Sequence, residues 1–441
     1  MNSTQLFQTA RSSNPLKRYI RRTLSVPVGI IMISFLTAFP LISSAANVTG
    51  KSRTYVQSRE TAGGSNLLPL YEYLNFSVQN LGSETISLHF GGWGRYDLMD
   101  KSFGDDNYRS EVQYLYLSFR GETGNTIVNL GRIMVFEGVA AERADGIYAR
   151  TDLPGNFGVS AYYGAPVETG IGRLGSNSVY GGRLSHQSAD IYQIGVSYLK
   201  EERDNSELRE EEGIDLWLHP INKVDIVGKS VYNSDTSGWR EHTYNLILSP
   251  IEKLRLTTEA SWINYEDYFT GATLSAFSFQ PSALNRRERV FILGEDAALS
   301  LSDTVKVSVD YKEYNYVIAS GARYYGGALK YAVAEAGEAG LTIHRMDGDT
   351  DRHKYMEYRI YGLKKINKMD IALDLMAVSY DSPISGEDNA YSASMIAGYN
   401  LTEKLRMGAD IMYGKNPDFD EDVRVFFKAI YSFDFGSGEG V

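Results

Sequence analysis

Period-two alternation of apolar and polar side chains recurs along the chain after residue 47. Between residues 253 and 262 the even positions are Leu, Leu, Thr, Ala and Trp, whereas the odd positions are Lys, Arg, Thr, Glu and Ser. Residues 192–198, 304–311 and 404–413 repeat the pattern. An amphipathic helix would instead place apolar residues at steps of three and four. The pattern therefore predicts β-strands with one apolar and one polar face.

The connections between these strands alternate between short and long. Short polar turns recur roughly every 30–40 residues, at 81–83, 122–125, 153–156, 188–190, 220–222, 250–252, 301–303, 336–338, 365–367 and 401–403. Longer, more charged connections are expected between them, at 97–108, 164–177, 200–212, 266–286, 347–352 and 381–388. Short turns on one rim and long loops on the other are typical of outer-membrane β-barrels, whose short turns are periplasmic. A soluble β-sandwich shares the alternation, but this turn asymmetry favours the barrel.

The fold class predicted is all-β: a transmembrane antiparallel up-and-down barrel. Ten short turns imply about 22 strands if both termini are periplasmic, within a range of 18–22. No stretch after residue 47 approaches the roughly twenty apolar residues that a spanning helix needs. Hydrocarbon offers no hydrogen-bond partners to the backbone, so strands span it only as a closed sheet. The apolar face then points to lipid and the polar face to a wet lumen.

The first 46 residues have the composition of a secretory signal peptide. A basic segment ends at Arg22, an apolar run covers 27–42, and small residues at 43–46 suit cleavage. The apolar run is too short for a spanning helix. We therefore expect residues 1–46 to be a signal peptide and residues 47–441 to form the barrel, located in the Gram-negative outer membrane.

Composition excludes several functional classes. The first 46 residues hold five of the 44 basic residues and no acidic ones, so residues 47–441 carry 39 basic against 55 acidic residues. This acidic balance argues against nucleic acid as a partner. The chain has no Cys. It therefore lacks disulfides, thiolate metal sites and thioether-bound haem, and it lacks the cysteine of a lipoprotein anchor. We expect no cofactor bound by this chain.

Enzymatic motifs are weak. The six His residues show no metal-binding spacing. Gly228-Lys229-Ser230 looks like the end of a phosphate-binding loop, but Lys223 occupies the position that requires glycine. A Ser, His and carboxylate set on a barrel wall remains an alternative. The prediction is a protein that is not an enzyme.

Charged residues on the polar faces of the strands are the candidate functional surface. A wall of mixed charges tunes ion selectivity, whereas the simpler interpretation is that the charges only keep the lumen hydrated. The residues expected to face the lumen are Lys253, Arg255, Glu259, Lys306, Asp310, Glu357, Arg359, Lys404, Arg406, Asp410, Arg424 and Lys428.

Two further segments suggest partners. The charged run at 200–212 is predicted to be an external loop that gathers divalent cations bridging lipopolysaccharide or meets a cationic partner; otherwise it is a solvated loop. The last strand ends in the alternating aromatics Tyr431, Phe433 and Phe435. This ending resembles the C-terminal signal read by the barrel-assembly machinery. It differs from that signal by Ile430, where a small residue is usual, and by the trailing residues 436–441.

Four short phrases resemble a porin-like barrel family of metal-respiring bacteria. They are LYEYL (70–74), HFGGWGRYDL (89–98), LGRIMVFEGV (130–139) and VYGGR (179–183). The likeness covers mainly residues 50–185. In that family the barrel is the outer-membrane component of porin–cytochrome conduits.

The resemblance and the residue pattern lead to two functions for one fold. The first is a pore that carries small polar solutes or ions, for which 266–286 or 164–177 is long enough to be a constriction loop. The alternative, implied by the resemblance, is a sheath around a multihaem cytochrome that transfers electrons across the membrane. All haems would then belong to the partner.

Overall fold

The computed structural model describes residues 47–60, 66–99, 107–167, 177–203, 206–268 and 287–436, and these are almost entirely strand. The predicted signal peptide at 1–46 lies outside the described residues. The strands are β1 (Asn47–Glu60), β2 (Asn66–Leu67), β3 (Pro69–Gln79), β4 (Ile86–Asp97), β5 (Tyr108–Arg120), β6 (Thr126–Glu137), β7 (Ala140–Leu153), β8 (Phe157–Pro166), β9 (Ser178–Ser188), β10 (Tyr192–Arg203), β11 (Ser206–Ile221), β12 (Val224–Asn233), β13 (Gly238–Ile251), β14 (Leu254–Asn264), β15 (Arg289–Ser300), β16 (Val305–Tyr316), β17 (Ala322–Val333), β18 (Gly337–Gly348), β19 (Lys354–Ile366), β20 (Met369–Ile384), β21 (Glu387–Asn400), β22 (Leu405–Asn416) and β23 (Phe419–Phe435). A single helical turn, α1 (Tyr265–Tyr268), follows β14, and a 3₁₀ turn at Asp351–His353 precedes β19.

The sheet closes on itself. Each long strand pairs antiparallel with its neighbour in sequence, and β1 pairs with both β3 and β23. The closing ladder runs from Val48–Phe435 to Ser58–Val425. The two-residue β2 only extends the turn between β1 and β3, so the described wall has twenty-two strands. The predicted all-β barrel and its strand number are confirmed.

Both ends of the barrel chain lie on the rim that carries the short turns. Asn47 pairs with Gln79 just before the first of these turns, and all ten predicted turns connect consecutive strands on this rim. Two of the predicted long loops are wrong. At 200–212, β10 continues to Arg203 and β11 starts at Ser206, because the charges pair across the strands, as with Lys200 opposite Glu210.

The second misplaced loop is 381–388. There β20 runs to Ile384 and β21 begins at Glu387. Ser385 and Gly386, with φ angles of 53° and 90°, make a tight turn between the strands. Both central residues have positive φ, which matches the twist of a β-hairpin.

The two faces of the wall differ in chemistry. Large apolar side chains are half exposed on the outer face, including Val309, Ile360, Ile411 and Phe427 on four different strands. Contact with lipid removes the hydrophobic penalty for this exposure. Closure of the sheet also leaves no edge strand whose backbone N–H and C=O groups lack hydrogen-bond partners. The helical turns in the described ranges are not long and apolar enough to cross a membrane.

A carboxylate organises part of the rim opposite the short turns. Glu288, just before β15, accepts hydrogen bonds from the backbone N–H groups of Val317, Ile318 and Ala319 at 2.7–2.9 Å, and from Arg289 at 3.0 Å. Burial by itself raises the pKa of Glu288, but these backbone donors outweigh it and hold the pKa below its usual range. The charged form of the Glu288 carboxylate therefore holds the loop between β16 and β17 in place.

We predict that acid releases this loop. A folded-state pKa below the unfolded value gives stability that is present at neutral pH. That stability is lost as the pH falls below about 4.5 and through the lowered pKa. Glu288→Gln should remove about 1.5–3 kcal/mol of local stability at pH 7. Amide hydrogen exchange at residues 317–319 measures it, and equal protection in both proteins at pH 7 would contradict the prediction.

Candidate functional site

The predicted charged residues divide into two groups. Ten lie on β14, β16, β19, β22 and β23, on the sheet face opposite the exposed apolar side chains. These are Arg255, Glu259, Lys306, Asp310, Glu357, Arg359, Arg406, Asp410, Arg424 and Lys428. Lys253 and Lys404 lie in the short turns that precede β14 and β22. They therefore belong to the periplasmic rim.

Opposite charges meet on this lumenal face. Lys428 Nζ lies 3.0 Å from Asp410 Oδ1 on the adjacent strand. Arg359 Nε donates to Asp374 Oδ1 at 2.9 Å, and Arg424 contacts Asp422. The partners Asp374 and Asp422 were absent from the sequence-based set. The lumenal wall is thus lined by ion pairs.

Glycines let some of these pairs span three strands. Glu259 and Lys312 approach to 2.8 Å across Gly294 of β15, which lies opposite both in register. Asp310 and His344 approach to 2.9 Å across Gly326 in the same way. A Cβ on Gly326 would lie 2.3 Å from the His344 ring. Because Gly326 has no side chain, Asp310 and His344 can meet above it.

Two more pairs have this arrangement. Arg406 Nη2 lies 2.7 Å from Asp370 Oδ1, and a Cβ on Gly398 of the intervening strand would lie 2.2 Å from the same nitrogen. Arg183 contacts Asp215 at 2.6 Å beside Gly195. The Arg183–Asp215 pair is bidentate, with Nε and Nη2 each donating to a different carboxylate oxygen. Pairs of this geometry are specific in orientation.

One hairpin leaves the wall and enters the lumen. The ladder between β5 and β6 ends at Leu115–Arg132, although both strands continue beyond it. At this point Gly131 has a φ of +131°, and a Cβ on it would lie 2.4 Å from the Leu115 carbonyl oxygen. Its cross-strand partner Gly146 would place a Cβ 2.1 Å from the Tyr163 carbonyl oxygen. This pair of glycines permits the bend. We call residues 132–145 the inner hairpin.

The tip of the inner hairpin contacts the lumenal face of β10 and β11, three and four strands beyond β7. The Val139 N–H donates to Ser197 Oγ of β10 at 3.0 Å. A Cβ on Gly213 of β11 would lie 2.3 Å from Val139 Cγ1. Ser197 and Gly213 share the lumenal face with Asp215, so the hairpin lies inside the barrel.

Apolar packing holds the hairpin against the wall. Ile133 and Val135 from the hairpin pack with Val179, Leu199 and Val231 from β9, β10 and β12, and each is at most 1% exposed. Full burial of one such side chain contributes about 1.5–3 kcal/mol. The cluster therefore fixes the hairpin in place.

Buried charges add a second attachment, which we call the hairpin ion-pair cluster. It contains three cations and three carboxylates: Lys229, Arg209, Arg240, Glu142, Glu211 and Glu241. Arg209 of β11 lies 2.7 Å from Glu142 of the hairpin and 2.8 Å from Glu211. The Glu142 and Glu211 side chains are 1% and 3% exposed. Buried charges require such pairing.

The other face of the hairpin is turned away from this wall. It carries Met134 and Phe136, which are 48% and 70% exposed. The Arg132–Asp145 pair at 2.7 Å lies on the same face. The hairpin therefore has a mixed apolar and charged surface on the side away from β9–β12, where Arg143 contacts Glu111 of β5.

Sequence reasoning missed the inner hairpin. It expected the constriction at 266–286 or 164–177, and residues 269–286 and 168–176 lie outside the described residues. A signal was available, because residues 133–136 are Ile, Met, Val and Phe and so break the alternation. An element that is apolar on both faces indicates packing on two sides.

The three aromatic side chains near the C-terminal end of β23 lie on its outer face. Phe433 packs with Val48, Phe76 and Val78 beside the closing ladder. Tyr431 and Phe435 flank it along the strand. Recognition by the assembly machinery stays a prediction, as does cation binding at 200–212. In the part of the chain that the structure describes, no group of three or more His, Asp or Glu could hold a metal ion.

Comparison with known proteins identifies the class through its fold. No protein-family model matches the sequence, and no curated protein matches it. The siderophore receptor PirA of Pseudomonas aeruginosa is similar in structure, with a TM-score of 0.59 at 12% identity over 88% of this chain and 80% of that chain. A mutant of the ferric enterobactin receptor PfeA of the same species has a TM-score of 0.55 at 8% identity, over 88% and 80%. OccAB4 of Acinetobacter baumannii has a TM-score of 0.44 at 8% identity, over 89% and 98%.

At these identities the likeness is one of fold. The closed wall and its apolar outer face define a multi-pass β-barrel of the Gram-negative outer membrane. The chain is an outer-membrane β-barrel. These structures lend no support to the resemblance to conduits of metal-respiring bacteria.

Proposed function

We propose that this barrel is a pore that carries small polar solutes or ions across the outer membrane. The inner hairpin carries the proposal, because the chain itself supplies an element inside its lumen. Ion pairs line the rest of the wall, including Lys428–Asp410 and Arg359–Asp374. Such charges need water or one another, so they favour a hydrated passage that the hairpin narrows.

The side-chain contacts support a role without catalysis. In the described part of the chain, His89 and His242 bond serine hydroxyls. His219 and His344 instead bond carboxylates. A serine hydrolase of this type needs one histidine that bonds both a serine hydroxyl and a carboxylate. This separation argues against the hydrolase alternative.

We predict that the purified barrel conducts in planar lipid bilayers. Addition of the folded protein should give discrete current steps, and the channel should select weakly between cations and anions because its charges are paired by sign. The heat-unfolded protein at the same concentration is the control. Folded protein that inserts but passes no ions would contradict the proposal.

The electron-conduit alternative rests on the sequence resemblance alone. A sheath depends on the enclosed cytochrome to fill its lumen, whereas here the inner hairpin occupies part of it. An absorption spectrum of the protein purified from its native membrane separates the two functions. A Soret band in stoichiometric amount would establish the conduit and overturn the open pore.

A further inference from the structure

The described wall has a local interruption beside β5, which we call the seam. Strand β5 remains paired with β4 as far as Tyr108. Its ladder with β6, however, ends at Leu115–Arg132, and beyond this level β6 pairs with β7 in the inner hairpin. Among the strands that the structure describes, none pairs with residues 108–114 on the side of β6. The seam is the space between this edge of β5 and the inner hairpin.

The seam lies in the half of the wall that is farther from the periplasmic turns. The pair Tyr96–Tyr108 marks its upper end, and Leu115 marks its lower end. Tyr96 and Leu115 are both exposed on the outer face. Tyrosines are enriched where the apolar band of a barrel meets the headgroups, and aliphatic side chains cover the band itself. The seam therefore opens at the level of the acyl chains of the outer leaflet.

Apolar side chains line both sides of the seam. Met134 and Phe136 lie on the side of the inner hairpin that faces away from β9–β12, and Val112 lies on the edge of β5. All three side chains are exposed. Arg132 crosses the seam, where its Nη1 donates to the Val112 carbonyl oxygen at 3.0 Å. Large apolar side chains left exposed beside a hydrated lumen indicate contact with an apolar group.

The ionic contacts across the seam are balanced in charge. Arg132 forms an ion pair with Asp145 at 2.7 Å, and Arg143 of the hairpin contacts Glu111 of β5. Each cation thus faces a carboxylate. These side chains give no net charge on which to select a headgroup, so we expect the apolar part of a ligand to decide binding.

Two other occupants suit the seam less well. A partner's β-strand would add to the edge of β5 through backbone hydrogen bonds, but the Val112 carbonyl oxygen already accepts one from Arg132. A pure hydrocarbon would leave the backbone along this edge without polar partners, which is costly in a membrane. A molecule with one alkyl chain and one polar head, together with lumenal water, suits both the apolar sides and the backbone.

We propose that the seam is a lateral port for single-chain amphiphiles between the lumen and the outer leaflet. The alkyl chain would lie against Val112, Met134 and Phe136, and the polar head would stay in the hydrated lumen. Because one arginine side chain spans the seam, a two-chain phospholipid is too wide to enter. The inference goes beyond the proposed pore, since it adds a sideways exit to a passage along the barrel axis.

Fluorescence quenching tests whether the seam meets both lipid and water. The chain has no Cys, so Met134→Cys in the full-length barrel takes a single bimane label, and the protein is reconstituted in phosphatidylcholine vesicles. The quenchers are doxyl-labelled stearate in the bilayer and iodide in the water. The matched controls are Val309→Cys on the outer face and Tyr355→Cys on the lumenal face.

We expect both quenchers to reach the label of Met134→Cys. Stearate alone should reach Val309→Cys, and iodide alone should reach Tyr355→Cys. Quenching by stearate should be at least about threefold stronger at Met134→Cys than at Tyr355→Cys, because the closed wall keeps lipid from the lumenal control. Quenching of Met134→Cys by only one of the two agents would overturn the proposal. Protection from both would indicate that a protein partner covers the seam, and it would overturn the proposal as well.

Further variants test the route of entry. Phe136→Cys lies on the same side of the hairpin and should repeat the double quenching, which keeps the test valid if Met134→Cys does not fold. Arg132→Met removes the side chain that crosses the seam, so it should raise stearate quenching of Phe136→Cys about twofold. The control Arg359→Met removes a lumenal ion pair on β19 and should not change it. No rise, or the same rise in the control, would overturn the seam as the route.

A two-chain quencher tests the ligand class. Doxyl-labelled phosphatidylcholine should quench Val309→Cys as strongly as stearate does, but Met134→Cys about threefold less, because the second chain does not fit. Equal quenching at both positions would overturn the single-chain class. The port and the pore fail separately. A conducting barrel whose Met134→Cys label stearate never reaches contradicts the port alone, whereas double quenching without conductance contradicts the pore alone.

Discussion

We expect the replacement of Arg209 by methionine to release the inner hairpin and to raise the single-channel conductance. Arg209 joins Glu142 of the hairpin to Glu211 of the wall, and both carboxylates are almost fully buried. Removing one member of such a group leaves charge without its partner and costs about 3–5 kcal/mol. Methionine keeps much of the side-chain volume, so the effect reports the charge. Single-channel recording measures the conductance, and urea unfolding measures the stability.

The control for this variant is Arg359→Met. Arg359 forms a lumenal bidentate pair with Asp374, but both side chains are more than one-third exposed. Exposed pairs contribute about 0–1 kcal/mol, and this pair has no contact with the hairpin. We expect nearly unchanged stability and conductance. The same rise in conductance in both variants would show that the released hairpin is not its cause.

A disulfide provides the rescue. The chain has no Cys, so Val139→Cys with Gly213→Cys introduces a single pair where tip and wall are in contact. In the Arg209→Met background the oxidised protein should return to the original conductance, and reduction should raise it again. If the oxidised and reduced proteins have the same conductance, movement of the hairpin is not the cause of the change.

The barrel could be predicted because its signals are local. Alternation with a period of two identifies each strand, and the turn residues identify the connections. The face of a lumenal charge follows from the same alternation, as for Asp410 and Lys428. The ion-pair partner of a lumenal charge cannot be predicted in this way, because it depends on strand register and on the positions of small residues. Arg406 reaches Asp370 only because Gly398 lies between them.

The broken alternation at residues 133–136 marks the inner hairpin as unusual, but such local rules could not predict which strands the hairpin contacts. Glu142 and Arg209 are separated by 67 residues. The sequence of neither segment indicates that the two residues pair. The charged run at 200–212 was interpreted as a loop because its composition is that of a solvated segment. One of its two arginines, Arg209, instead lies inside the barrel as a partner for Glu142 of the hairpin.

Gly131→Ala should destabilise the barrel and displace the inner hairpin. The φ of +131° lies in a region that L-residues rarely adopt, and the new Cβ would lie 2.4 Å from the Leu115 carbonyl oxygen. The backbone cost alone is about 1–3 kcal/mol, and relief of the contact must move β5 or the hairpin. We expect a lower free energy of unfolding in urea. We also expect less crosslinking between Val139→Cys and Gly213→Cys.

Gly362→Ala is the matched control on β19. A Cβ there would meet its nearest neighbour at 3.6 Å, which is ordinary contact. Alanine at a compatible position restricts the unfolded chain and is neutral or slightly stabilising. If Gly131→Ala unfolds like this control and crosslinks as before, the bend does not depend on glycine. If only Gly131→Ala loses both, the same residue that breaks the β5–β6 ladder also places the hairpin in the lumen.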